Sequence, residues 1–252
     1  MKKGRLTMLP DSQDAYGHEI IDHMQGKPVL EIIERDDRYI EITSGPKAYF
    51  APFKDWPDHE KQAIKFAKGR VLDVGCGAGR VLLYLQEKGL ECVGIDVSSL
   101  AVKACRERGA KDARVISITR VGPPLGKFDS ILMFGNNFSL FGGKKRTEWV
   151  LEKYRRLANP GIQLIVTATD PYATNDPDHL NYQKFNLRRG RMGGQIRLRV
   201  RYKKYQTPWL DHLLVSQPEM TAMLKGSGWK VTKFIPGSSG AYAAVIQREN
   251  EI

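Results

Sequence analysis

Acidic residues are missing from one stretch of this 252-residue chain: no Asp or Glu occurs between positions 179 and 210. Nine basic residues crowd the same stretch, namely Lys184, Arg188, Arg189, Arg191, Arg197, Arg199, Arg201, Lys203 and Lys204. They match nine of the twelve excess positive charges, so the basicity is local and needs a local explanation. Cysteine is scarce too. The three present, Cys76, Cys92 and Cys105, form no C-x-x-C pair. An odd, dispersed set excludes a disulfide framework, argues against a structural zinc, and fits reduced thiols in a cytoplasmic protein. Long apolar runs are also absent. None approaches the roughly 20 residues that a membrane-spanning helix needs, so no membrane partner is expected. The basic start, Met1-Lys2-Lys3-Gly4-Arg5, leads into no apolar segment, so no signal peptide is expected. Repeats and low-complexity tracts are not evident. The remainder, 41% hydrophobic and 27% charged, suits a globular chain that can bury one large core or a core plus a cap.

What is present centres on Val71-Leu72-Asp73-Val74-Gly75-Cys76-Gly77-Ala78-Gly79. A short apolar run ends at three glycines spaced two apart. Val81, Leu82, Leu83 and Leu85 then begin a pattern of helical period. Strand, glycine turn and helix together let a backbone approach a nucleotide-like ligand closely. The spacing is not that of a dinucleotide fingerprint, G-x-G-x-x-G. Counted from Gly75, its last glycine falls on Arg80.

Strands and helices alternate from there. Strands are expected at 71–74, 91–95, 114–118, 128–134 and 162–169, the last entered through the turn Asn159-Pro160-Gly161. Helices are expected at 79–88, 98–108 and 144–157. This order implies a parallel sheet with right-handed crossovers. Upstream, residues 1–10 read as a loose tail and 12–25 as a helix. Residues 28–34 and 38–43 make a possible hairpin. A helix capped by Asp55 runs to about Lys68. Downstream, Gln195 to Tyr202 alternates. Ile196, Leu198, Val200 and Tyr202 share one face, and Arg197, Arg199 and Arg201 the other, as in an antiparallel strand. Ser216-Gln217-Pro218-Glu219 is a capping box, and 229–235 and 241–247 are closing strands.

The run D-x-G-x-G-x-G at 73–79 resembles motif I of the class I S-adenosylmethionine-dependent methyltransferases. Val93 to Ser98 is similar to the second motif of that family, Phe128 to Leu132 to its fourth strand, and Leu157 to Gly161 to its turn into strand five. The resemblance covers 69–169 and 213–247. It implies an α/β, Rossmann-like, doubly wound fold: a seven-stranded, mainly parallel sheet with its last strand antiparallel. An N-terminal cap or lid (1–68) and an antiparallel, substrate-side insert (170–212 within a 69–252 domain) would complete it. It also implies S-adenosylmethionine as methyl donor, S-adenosylhomocysteine as product, and no metal. The cofactor residues would be Asp73, Gly75, Cys76, Gly77 and Gly79; Asp96, Val97 and Ser98; Ile118 and Thr119; and Gly135 and Asn136. Asp73 could accept from an ammonium group. Asp96, 21 residues after Gly75, could accept from the ribose hydroxyls. Where the family often has an acid after strand three, this chain has Ser117-Ile118-Thr119-Arg120.

The acceptor is less constrained. Phe134-Gly135-Asn136-Asn137-Phe138 lacks the prolines of nucleic-acid amino methyltransferases, and no cysteine stands where a nucleophile would. Tyr16, His18 and Asn137 are candidate catalytic groups. Tyr172, Trp209 and His212 are candidate substrate contacts. The expected acceptor is a small molecule, possibly acidic, methylated on O, N or C by in-line displacement, which needs mostly positioning. The basic 184–204 segment keeps an RNA methyltransferase open, since an arginine stripe could track phosphates. It could equally be a solvated face that blocks edge pairing. A non-catalytic ligand- or RNA-binding member of the fold is the third alternative.

Overall fold

The computed structural model describes residues 9–43 and 45–249. The expected loose tail lies mostly outside them. The chain opens with helix α1 (Ala15–Met24), the hairpin β1 (Glu31–Arg35) and β2 (Ile40–Thr43), and helix α2 (Asp58–Ala63). A βα series follows: β3 (Arg70–Val74), α3 (Arg80–Glu87), β4 (Glu91–Asp96), α4 (Ser99–Glu107), β5 (Ala113–Val115), β6 (Phe128–Met133), α5 (Lys144–Leu157) and β7 (Ala158–Thr169). Then come α6 (Pro177–Arg188), β8 (Gln195–Tyr202), β9 (Tyr205–Gln206), β10 (Leu210–Leu213), α7 (Gln217–Leu224), β11 (Trp229–Pro236) and β12 (Ala241–Arg248).

Two sheets result. The larger has seven strands in the order β11-β12-β7-β6-β3-β4-β5. Neighbours from β7 to β5 run parallel, and β12 is antiparallel to both β7 and β11. This is the Rossmann-like order with an antiparallel last strand. Its central strands are apolar on both faces because helices cover both. Leu72 and Val74 pack into one layer with Tyr154, Leu157 and Met220. Val71 packs into the other with Val81, Leu82 and Val102.

The second sheet has the order β10-β8-β1-β2, with β9 paired to β8. The N-terminal hairpin and the downstream insert therefore share one sheet, with Ile33 opposite Val200 and Arg35 opposite Leu198. Val200 and Tyr202 are buried, with Leu198 and Ile33 packed beside them. Arg197 and Arg201 are exposed, as the alternation requires.

Several boundaries differ from expectation. The helix expected to reach Lys68 stops at Ala63 and tightens into a 3-10 turn over Ile64–Phe66. Asp55 does not cap it. That residue closes a separate turn, Phe53–Asp55, and Pro57 stands at the N-cap with no side-chain bond. Asn159-Pro160-Gly161 is no turn but part of β7. The strand expected to reach 118 ends at Val115, and Ile118 starts a 3-10 turn. Helix α6 was not anticipated. Among the described residues no helix is long and apolar enough to cross a membrane.

Asp14 fixes α1 against the large sheet. Its Oδ1 accepts from the Gly17 N–H at 3.0 Å, and its Oδ2 from the Ser98 hydroxyl at 2.8 Å. Gly17 permits this approach: a Cβ there would lie 2.5 Å from Ser98 Oγ and 2.6 Å from Asp14 Oδ1. Replacing an ordinary helical Gly by Ala stabilises by about 0.5–1 kcal/mol. Here overpacking, typically about 1–3 kcal/mol, outweighs that gain. Gly17→Ala is therefore expected to lower the denaturant midpoint, and hydrogen exchange should rise first in α1.

Candidate active site

The ends of β3, β4 and β6 converge, and glycine supplies the backbone shapes that bring them together. Gly75, Gly77 and Gly79 have φ values of +74°, +52° and +86°. The Gly75 and Cys76 N–H groups donate to the Ile95 carbonyl at 2.8 and 3.1 Å, which holds the loop over β4. Asn137, from the turn after β6, donates through Nδ2 to the Val74 and Gly75 carbonyls at 3.0 and 3.1 Å. A Cβ on Gly75 would lie 2.4 Å from that Nδ2, so only glycine allows this clamp. In contrast, a Cβ on Gly77 or Gly135 would meet nothing within 4 Å. Both residues border open space.

Asp96 ends β4 and reaches across. Its Oδ2 accepts from the Gly77 N–H at 3.0 Å and its Oδ1 from the Ser98 N–H at 2.9 Å. Burial pushes its pKa up, and those two donors pull it back. Each oxygen keeps a second lone pair for a ligand hydroxyl. Asp73 lies deeper, 2% exposed. It meets the Leu82 N–H in the first turn of α3, where the Gly79 N-cap has no side chain to offer. Its Oδ2 has no partner. Burial raises its pKa to about 7, against the pull of Arg80.

Two supports escaped the sequence reading. Arg80 pairs with Glu60 at 2.7 Å and stacks 4.4 Å from the Trp56 ring. Glu60 also accepts from the Gly135 N–H at 3.2 Å. Helix α2 thus braces both glycine turns. The only sequence signal was Arg80, which stands where a dinucleotide loop would have glycine. Asn136 holds αL geometry (φ 64°), and its N–H donates to Thr167 Oγ1 at 2.8 Å. Its Oδ1 is buried and unpartnered.

The other named residues are dispersed. Ser98 caps α4, and Cys76 is buried under the loop. Ile118 is buried, and Thr119 shares a 3.0 Å hydroxyl contact with Ser117. Val97 is partly exposed beside Asp96. His18 stacks on Tyr205 with ring centres 3.5 Å apart, and its Nε2 lies 3.0 Å from Asp11. Tyr172 donates its hydroxyl to Glu219 at 2.7 Å. Trp209 lies under Arg199. His212 Nδ1 lies 2.8 Å from the Ser139 hydroxyl. Burial, then the Arg146 charge, pushes the His212 pKa down to about 4, so its ring is neutral near pH 7. Burial, then the charges of Glu31, Glu19 and Asp96, push the Tyr16 pKa up. Among the described residues no group of three or more His, Cys, Asp or Glu is placed to hold a metal.

A methyltransferase domain model matches residues 71–161, the segment that carries both glycine turns. The fold is also that of a methyltransferase from Bacteroides fragilis solved with S-adenosyl-L-homocysteine. The two chains are 27% identical and superpose with a TM-score of 0.82 over 96% of this chain and 98% of that one. Residues 71–161 thus carry a class I, Rossmann-like methyltransferase domain. Family relatives cover less. The ubiquinone biosynthesis O-methyltransferase of Dechloromonas aromatica is 31% identical over 119 residues, 45% of this chain and 48% of the relative. The ribosomal RNA small subunit methyltransferase C of Alcanivorax borkumensis is 34% identical over 67 residues, 25% of this chain and 21% of the relative. The chain thus spans half or less of the length of these curated relatives.

For this methyltransferase the Asn137 clamp sets the glycine turn. Gly75→Ala places a side chain both at φ +74° and against Asn137. Strain of this kind costs about 1–3 kcal/mol. The expected result is a matching loss in denaturant stability. Asn137→Ala should partly relieve it in the double mutant, with a coupling energy that a double-mutant cycle measures.

Proposed function

We propose that the chain transfers a methyl group from S-adenosylmethionine to a small-molecule acceptor on O, N or C. The observation that carries this is the open space bordered by Gly77 and Gly135, with Asp96 at one side and the unpartnered Asp73 oxygen behind. Bound there, S-adenosylmethionine supplies a methyl group on a sulfonium, a leaving group that needs no metal. Asp96 would accept from the ribose hydroxyls while its other lone pairs stay on Gly77 and Ser98. The first turn of α3 would favour the carboxylate end, and Asp73 would favour the ammonium. Ile118 would cover the adenine ring.

The small-molecule reading is supported by the basic strand itself. Arg199 makes a bidentate pair with Glu34 at 2.9 and 3.0 Å, and Arg201 reaches the same carboxylate at 3.4 Å. Two of the three arginines on that face thus share the single charge of Glu34, which halves their joint charge and interrupts any phosphate track. The same pairs join the 1–68 cap to the 170–212 insert, and we read these segments together as the acceptor-side lid.

Calorimetry tests the cofactor half. Asp96→Ala should weaken S-adenosylmethionine at least tenfold, about 1.4 kcal/mol; unchanged affinity would overturn the reading. The pH dependence has a definite sign. Asp73 is neutral below its raised pKa of about 7 and charged above it. Affinity for a ligand ammonium should therefore rise as pH increases through about 7, and Asp73→Asn should flatten the rise. Labelled methyl donor supplied with a metabolite extract, against bulk RNA as the alternative acceptor, tests the acceptor half.

A further inference from the structure

The cap presents a bare sheet edge. Strand β2 is the last strand of the five-stranded sheet, and among the described residues no strand pairs with its outer side. The alternation of bonds in an antiparallel ladder decides which groups that edge offers. The Arg35 N–H donates to the Tyr39 carbonyl at 2.9 Å, so these two residues form a bonded pair. Two steps along, Ile33 and Glu41 form the next. Ile40 and Ile42 stand between the bonded positions. Their N–H and C=O groups therefore point outward, away from β1.

The same two residues carry exposed apolar surface. Ile40 is 56% exposed and Ile42 62%. On the outer face of the sheet Ile42 lies opposite Ile32, and Ile40 opposite Glu34. Leu30, just before β1, is exposed as well. The inner face is spent on the core, where Ile33 joins Val200 and Tyr202. Beside the isoleucines, Arg199 and Arg201 are turned onto Glu34. Strand β2 holds neither Lys nor Pro, the residues that commonly blunt a free edge.

We propose that β2 pairs with β2 of a second copy of this chain about a two-fold axis. Antiparallel pairing of a strand with itself is self-complementary, as a two-fold interface requires. With Ile42 on the axis, opposite the partner's Ile42, Glu41 falls opposite the partner's Thr43, so no like charges face each other. Ile40 lies diagonal to the partner's Ile42, still within reach. Ile32 and Leu30 flank this seam, and the aliphatic residues of both copies form one band. Lys47, exposed and four residues past Thr43, is directed towards the exposed acids Asp36 and Asp37 at the partner's hairpin tip. A chain of net charge +12 repels its copies, yet β2 carries one charge only, the acid Glu41. An aliphatic edge whose neighbouring arginines already share an acid suits another copy better than a polyanion or an anionic lipid surface. The inference goes beyond the methyl-transfer reading and does not depend on it.

The test is sedimentation velocity on the full chain across micromolar concentrations, with hydrogen exchange of β2 alongside. The wild type should pass from monomer to dimer, twice the 28.5 kDa of one chain, as concentration rises. The Ile40 and Ile42 amides should gain protection in step. Ile42→Lys places two cations on the axis and should raise the dimer dissociation constant roughly hundredfold or more. Ile42→Thr keeps a strand-forming residue and should raise it roughly tenfold. Leu187→Lys, at an equally exposed aliphatic position on α6, should leave the dimer unchanged. Circular dichroism and thermal midpoints check that the variants fold; if Ile42→Lys does not, Ile42→Thr carries the test. A monomer at every concentration, a dimer indifferent to the Ile42 substitutions, or an equal loss in Leu187→Lys would overturn the proposal. A monomer whose β2 amides are protected would overturn it too, by assigning the edge to another part of the chain.

Discussion

A continuous line of hydrogen bonds through Asp96 joins the glycine turn to the cap. The Gly77 N–H donates to Asp96, Asp96 accepts again from the Ser98 N–H, and the Ser98 hydroxyl donates to Asp14. Asp14 in turn caps α1 through Gly17. Each member satisfies a donor at an element end that would otherwise lack a partner. The same residues therefore build the fold and the site. Asp96 can be presented to a ligand at fixed geometry because its backbone partners already hold both oxygens. A surface acid on a free side chain would have to lose rotamer entropy on binding, whereas this one has lost it during folding.

That economy explains what the sequence could and could not reveal. The glycine turn was legible because its requirements are local. Positive φ at Gly75, Gly77 and Gly79 demands glycine whatever surrounds it, and the adjoining strand and helix periods place the turn in a βα unit. The capping box at Ser216 and Glu219 was legible for the same reason. The second sheet was not. Its central pairing joins β1 to β8, more than 160 positions away in sequence, and no local pattern states a partner at that distance. Helix α6 was missed because its apolar residues, Leu180, Tyr182, Phe185 and Leu187, do not form a clean stripe, and Phe185 and Leu187 remain exposed. Glu19 and Glu31 stand twelve residues apart, and no local pattern relates them. Only the fold of α1 against the hairpin makes them neighbours.

The charge pattern carries the same lesson in reverse. A segment with nine cations and no acid looks like a site for a polyanion when read along the chain. In three dimensions its acids come from elsewhere. Glu34 serves Arg199 and Arg201, and Asp22 pairs with Lys203 at 2.6 Å, holding the Asp22 carboxyl well below the usual range. Exposed pairs of this kind contribute little stability one by one, roughly 0–1 kcal/mol. Their use is in register: a carboxylate on β1 or α1 opposite a cation on β8 or just beyond it favours one alignment of two segments that meet late in sequence.

The acids that do remain unpaired are therefore informative by contrast. With so many cations in the chain, neutralising Glu19 or Glu31 would need only one Lys or Arg on a nearby face, as Glu60 has in Arg80. No such residue acts on Glu19. The cap thus divides its acids by task. Those facing outward, Glu34 and Asp22, hold β8 and its turn in place. Glu19 is buried, and burial and Glu31 act on it in place of a cation. It therefore carries a raised carboxyl pKa, set first by burial and then by Glu31.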